Sequence, residues 1–251
     1  MSLIGKYRAL LLPASMPDRI IMGRIGLPVL IAVILLLLDR YGIQPAYYRY
    51  FIDLPLYSGV PPSAQPFAAQ LHFSGACLLL FVAVPLCFHL AFPRDGAHRY
   101  GLSLSATVTH FPLYALLLGI MLPLLWIVSA DPGFNSFYPM YKPAALSDWL
   151  LYESVYMLQF FAVEFFFRGF CLFRLERFTG LYAVAIMVVP YALIHIHKPL
   201  PEAMSSIVGG LILGYLAIRT RSIWPGLFVH CGVAFCMDWF SLIRSGWFST
   251  L

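Results

Sequence analysis

The feature that most constrains this chain is a succession of long apolar runs almost free of charge. Pro66–Ala91 and Leu102–Ala130 contain no Asp, Glu, Lys or Arg, and about 20 such residues cross the hydrocarbon of a bilayer as a helix. Leu181–Ile196 and Ala203–Ile218 are likewise free of these residues, and Ile20–Leu38, Trp149–Phe173 and Ile223–Ile243 continue the pattern with isolated charges. In Ile20–Leu38, Arg24 lies near enough to the end to snorkel to the interface. Of the 251 residues 61% are hydrophobic and 11% charged, whereas a soluble domain carries about a quarter charged residues. A water-soluble core of this size cannot bury so much apolar side chain, so lipid is the solvent. The expected fold is all-α, a polytopic transmembrane helix bundle of about seven spans.

The net charge of +5 is then a matter of sidedness and not a sign of nucleic-acid binding. Lys6, Arg8, Arg19 and Arg24 precede or open the first span, Arg94 and Arg99 follow the second, Arg174 and Arg177 the fourth, and Arg219 and Arg221 the sixth. The alternate connections hold Arg40, Arg49, Lys142 and Lys198, with Arg244 after the last span. This asymmetry predicts a cytoplasmic N-terminus. Cys77, Cys87, Cys171, Cys231 and Cys236 all fall in apolar spans and are read as packing residues rather than disulfide partners. The basic N-terminal segment reads as a start-transfer anchor without a cleavage site.

Two connections, about Asp39–Gln65 and Asp131–Asp148, are rich in Tyr and Pro, including Tyr47, Tyr48, Tyr50, Tyr57, Tyr138 and Tyr141. Tyrosines at that density suit the headgroup region. The chain divides by chemistry into residues 1–145, N-terminal helices and outer loops, and residues 146–251, where the interior charges lie. Spans one to three have no acidic residue inside them, whereas the last four contain Glu153, Glu164, Arg168, His195, His230 and Asp238. Ionisable groups at membrane depth are costly, so they pair or mark a function. A catalytic-type core is therefore expected in the C-terminal four helices.

Glu164 and Arg168 stand four apart in AVEFFFRGF, on one face of a helix and close enough to pair. A structural ion pair and a general base held by a cation both fit that spacing. His195 in YALIHIHKP and His230 in WPGLFVHCG lie on two other spans, at depths compatible with one shared layer. His197 and Glu202 are read as interfacial. Glu153 lies about three turns from Glu164, too far to form a carboxylate pair with it. HExxH, GxSxG and Walker-type glycines are absent from the sequence.

From about Trp149 to Asp238 this order of motifs resembles the CPBP family of intramembrane proteases, also called CAAX-protease or abortive-infection-like proteins. That family carries EExxxR, then FxxxH, then HxxxN or HxxxD on three membrane helices. The chain reads Val163-Glu164-Phe165-Phe166-Phe167-Arg168, then Tyr191-Ala192-Leu193-Ile194-His195, then His230-Cys231-Gly232-Val233-Ala234. The intervening Gly209–His230, with its small-residue helix and basic turn, is also similar. The resemblance implies proteolysis within the membrane without a covalent intermediate, on a membrane-associated protein or peptide. Carried over by motif, Glu164 with His195 would activate water, His230 would donate to the oxyanion, and Arg168 would hold Glu164.

Three departures accompany the match. Val163 replaces the first Glu, Ala234 replaces the oxyanion Asn or Asp, and Tyr191 replaces Phe. Asp238, one turn beyond Ala234, is a candidate substitute for the missing polar group. The departures keep open a catalytically inactive relative acting as an immunity or partner-binding factor. No cofactor is expected, although Glu164, His195 and His230 also form the His₂Glu set used by catalytic zinc. Glu and His chains in a membrane also serve transporters, but no paired broken helices are visible. The expected location is a bacterial inner membrane, with lipid and a protein substrate as partners and no nucleic acid.

Overall fold

The computed structural model describes residues 27–38, 59–61, 64–91 and 100–249. The basic residues Lys6, Arg8, Arg19, Arg24, Arg40, Arg49, Arg94 and Arg99, and the tyrosines Tyr47, Tyr48, Tyr50 and Tyr57, lie outside them. Helix α1 is Leu27–Leu38. Helix α2 (65–91) runs from Gln65–Leu78 through a π-helical turn, Leu79–Ala83, into Val84–Ala91. Then come α3, Ser105–Val128, and a short α4, Pro132–Phe137, capped by the Asp131 carboxylate on the amides of Gly133 and Phe134. Helix α5 (146–179) is Leu146–Glu164, a π-helical stretch Phe165–Leu172, and Phe173–Thr179. Helices α6, α7 and α8 are Tyr182–Leu193, Leu200–Thr220 and Trp224–Arg244. No β-strand occurs among the described residues.

Among the described residues five helices are long and apolar enough to cross a membrane: Gln65–Leu90, Thr107–Val128, Leu146–Thr179, Leu200–Thr220 and Trp224–Arg244. The other two expected spans correspond to shorter helices. For the first, the described part is Leu27–Leu38. For the fifth, Leu181–Ile196 was expected, but α6 stops at Leu193 after 12 residues, about 18 Å of helix. Pro190 lies in its last turn and Pro199 opens α7, so the intervening His195–Lys198 forms a turn instead of continuing the helix.

Charged residues that flank the described helices collect at the two ends of the bundle. Arg221 closes a bidentate ion pair with Glu176 at 2.5 and 2.7 Å, which puts the ends of α5 and α7 together with Arg174, Arg177 and Arg219; this is the basic end. At the opposite, loop end, Lys142 donates to the Tyr138 carbonyl at 3.0 Å and Lys198 to the Tyr138 hydroxyl at 3.1 Å.

Two packing devices hold α5 where the site needs it. Phe81, in the π turn of α2, stacks on Phe166, in the π stretch of α5, with centroids 4.8 Å apart. On the other side, the segment before α3 is clamped against α8. Ile223 N–H donates to the Gly101 carbonyl at 2.8 Å, and the Trp224 indole donates to Leu102 O at 3.0 Å. Gly101 takes φ +70°, and a Cβ there would stand 2.6 Å from Phe173 and 3.1 Å from the Ile223 nitrogen. Gly169, next to Arg168, meets the Tyr100 carbonyl equally closely, since a Cβ would fall 2.9 Å from it. A backbone atom cannot swing aside as a side-chain tip can. Gly169→Val should therefore cost about 1–3 kcal/mol, read as a lower unfolding temperature in detergent; an unchanged temperature would show that the clamp yields.

Helix α7 approaches α6 through Gly210 and Gly214, where a Cβ would lie 3.0 Å from Val188 and from Met187 respectively. Small residues at this spacing let membrane helices pack backbone to backbone.

Candidate active site

Glu164 ends the α-helical part of α5 and Arg168 sits one turn on, inside the π-helical stretch. Both are fully buried, at 0% exposure. Arg168 Nη1 donates to Glu164 Oε1, so the i, i+4 pair expected from the sequence is formed. The same oxygen accepts from His230 Nδ1 on α8 at 2.8 Å. Because a carboxylate only accepts, Nδ1 carries the hydrogen and Nε2 is the nitrogen left for other work. The guanidinium carbon of Arg168 lies 5.0 Å from the ring centre of Tyr191. Thus Tyr191, Arg168, Glu164 and His230 form one contact chain around the buried ion pair.

His195, in the turn after α6, packs its ring on Tyr191 at 4.8 Å. Its Nδ1–H donates to the Tyr191 carbonyl at 2.8 Å. That bond fixes the ring's orientation and leaves Nε2 as an acceptor in the neutral imidazole. Tyr191 therefore orients one histidine with its backbone and touches the cation behind the other with its side chain. The His230 ring is 6.4 Å from Tyr191 and 4.6 Å from Phe160.

A cavity of about 330 Å³ between α3, α5, α7 and α8 is lined by Tyr191, His195, His230, Ala234, Glu202 and Ser206 within a largely apolar wall. Glu164 and Arg168 are not part of the lining; Glu164 stands one residue behind it, screened by His230. Its Oε2 is closed off by the backbone of α8, since a Cβ on Gly226 would be 3.2 Å away. The expected convergence is thus direct for the two histidines and indirect for the glutamate.

Other expected site residues are distributed differently. Asp238 does not replace the polar group absent at Ala234. It is fully buried near Glu153 on α5 and is not part of the cavity lining. Glu153 is thus closer to Asp238 than to Glu164. Among the described residues no three His, Cys, Asp or Glu side chains are placed to hold a metal ion. Glu164 Oε1 is committed to Arg168 and His230 Nδ1, so Glu164, His195 and His230 do not offer a three-ligand set. Glu202, read from sequence as interfacial, lines the cavity.

A bundle with five long apolar helices and ionisable groups gathered around an intramembrane cavity defines an integral, multi-pass membrane protein. Its residues 145–236 match the family model "Type II CAAX prenyl endopeptidase Rce1-like", and that segment is a domain of the type II CAAX prenyl endopeptidase (CPBP) family. No curated protein and no solved structure matches the chain.

Proposed function

We propose that the protein is an intramembrane endopeptidase that hydrolyses a membrane-associated protein or peptide with water activated at His195 and His230, under the control of Glu164. The observation that carries this reading is the hydrogen bond from His230 to the buried Glu164–Arg168 pair, on the wall of a cavity shared with His195. His195 Nε2 accepts a proton from water as the oxygen attacks the peptide carbonyl. His230, doubly protonated, donates Nε2–H to the developing oxyanion with Glu164 as its counter-charge. The C–N bond then breaks, and the proton on His195 passes to the leaving nitrogen. Glu164 acts through His230 and not on water directly. One preorganised donor of this kind is worth about 3–4 kcal/mol. The oxyanion side has no second side-chain donor at Ala234, so His230 bears that role alone.

The proposal extends to topology and place. The basic end faces the cytoplasm by the positive-inside rule, giving seven crossings with a cytoplasmic N-terminus, in a bacterial inner membrane. Residues 146–251 supply the peptidase core and residues 1–145 the supporting helices.

A second reading, a catalytically silent partner-binding or immunity protein, is favoured by the burial of Glu164 and by Ala234. The two part in one experiment: mapping of new protein termini in membranes of cells making the wild type or Glu164→Gln at matched levels. Termini that vanish with Glu164→Gln support the peptidase. An identical set in both, from hosts that supply known membrane substrates of such enzymes, favours the silent reading.

A further inference from the structure

Glu202, in the first turn of α7, lies on the same cavity wall as His195 and His230, and its side chain is 18% exposed. One carboxylate oxygen is committed: the Tyr138 hydroxyl donates to Oε2. Burial, together with the Glu202 charge, pushes the Tyr138 phenol well above its ordinary range, which keeps that hydrogen in place. The other oxygen, Oε1, forms an ion pair with Lys198 Nζ at 3.6 Å, a separation too long for a hydrogen bond. Lys198 instead donates to the Tyr138 hydroxyl at 3.1 Å and lies over the rings of Phe137 and Tyr138, 5.1 and 5.3 Å from their centres. The nearby hydroxyls of Ser205 and Ser206 donate to helix carbonyls, at 2.9 and 2.7 Å. Oε1 is left at the cavity rim with no hydrogen-bond donor among the described residues.

We infer that Glu202 forms a cation-accepting subsite, taking the ammonium or guanidinium of a Lys or Arg in the bound peptide at the loop end of the cavity. A cation reaching Oε1 completes a charge-assisted hydrogen bond in a largely apolar wall, where such bonds are strong. Lys198, drawn aside onto the aromatic rings, is its competitor. The inference rests on the cavity being the peptide site.

The test is binding of two fluorescent Leu/Ala peptides, one carrying a single Lys and the other norleucine in its place, to detergent-purified protein with His195→Gln as the non-cleaving background. The Lys peptide should bind about tenfold more tightly. Glu202→Gln, which keeps an acceptor for Tyr138, should erase the preference, and Lys198→Met should enlarge it. A purely structural Tyr138–Glu202–Lys198 latch predicts no preference, or the same one in every variant; either result overturns the subsite. Cleavage of both peptides by the wild type without a Lys preference overturns the subsite but leaves the peptidase standing. Failure of both to bind overturns the subsite together with the cavity reading.

Discussion

Glu164→Ala should destabilise the protein by about 3–5 kcal/mol, because removing one partner of a buried ion pair strands the other. Arg168 is fully buried, and its carboxylate partner is Glu164; the Tyr191 ring cannot replace that charge. Arg168→Met should cost less, because His230 still donates to the Glu164 carboxylate. Replacing both, Glu164→Ala with Arg168→Met, should recover part of the loss, since Arg168 is then no longer stranded in the interior. Unfolding of the four proteins in one detergent gives the double-mutant cycle. Losses that simply add would show that the pair is not energetically coupled. Glu164→Gln also removes the charge, but its amide oxygen can still accept from Arg168 and His230, so its loss should be smaller than that of Glu164→Ala.

The largest effect on hydrolysis should come from the histidines. His195→Gln removes the proton acceptor and should lower the rate about 10²–10⁴-fold, while His230→Gln should cost about 10²–10³-fold through the oxyanion. The double variant should be little worse than the more damaging single one, because groups that act in one step are not additive. Rates on a peptide defined by the termini mapping check this. Singles that reduce the rate less than tenfold would place the chemistry elsewhere.

The membrane character was legible from the sequence for physical reasons, and so were the interior charges that form the candidate site. Lipid-length apolar runs leave little choice but helices, and Glu164, Arg168, His195 and His230 stand out because charge is costly among such neighbours. The i, i+4 spacing was enough to anticipate the Glu164–Arg168 contact. Other features depend on contacts that no local pattern carries. The π-helical stretch of Phe165–Leu172 shows in the sequence only as consecutive phenylalanines, and its packing on a second π turn at Phe81 joins two distant segments. That Glu164 would hide behind His230 depends on which way α8 faces. Asp238 lies buried near Glu153, outside the cavity lining, which its position one turn after Ala234 does not reveal. Glu202 reads from sequence as interfacial, yet it lines the cavity and Tyr138 arrives from 64 residues away.

The central claim is that the cavity bounded by His195 and His230 hydrolyses peptide bonds with free water. The most direct measurement incubates the purified, liposome-reconstituted protein with solubilised membrane proteins in ¹⁸O-water and reads the new C-termini by mass spectrometry. Newly formed C-termini carrying ¹⁸O with the wild type, and their absence with Glu164→Gln and His195→Gln, are the predicted result. A folded wild type that yields no labelled termini beyond those of the two variants, with substrates known to be cut by such enzymes in the mixture, would contradict it.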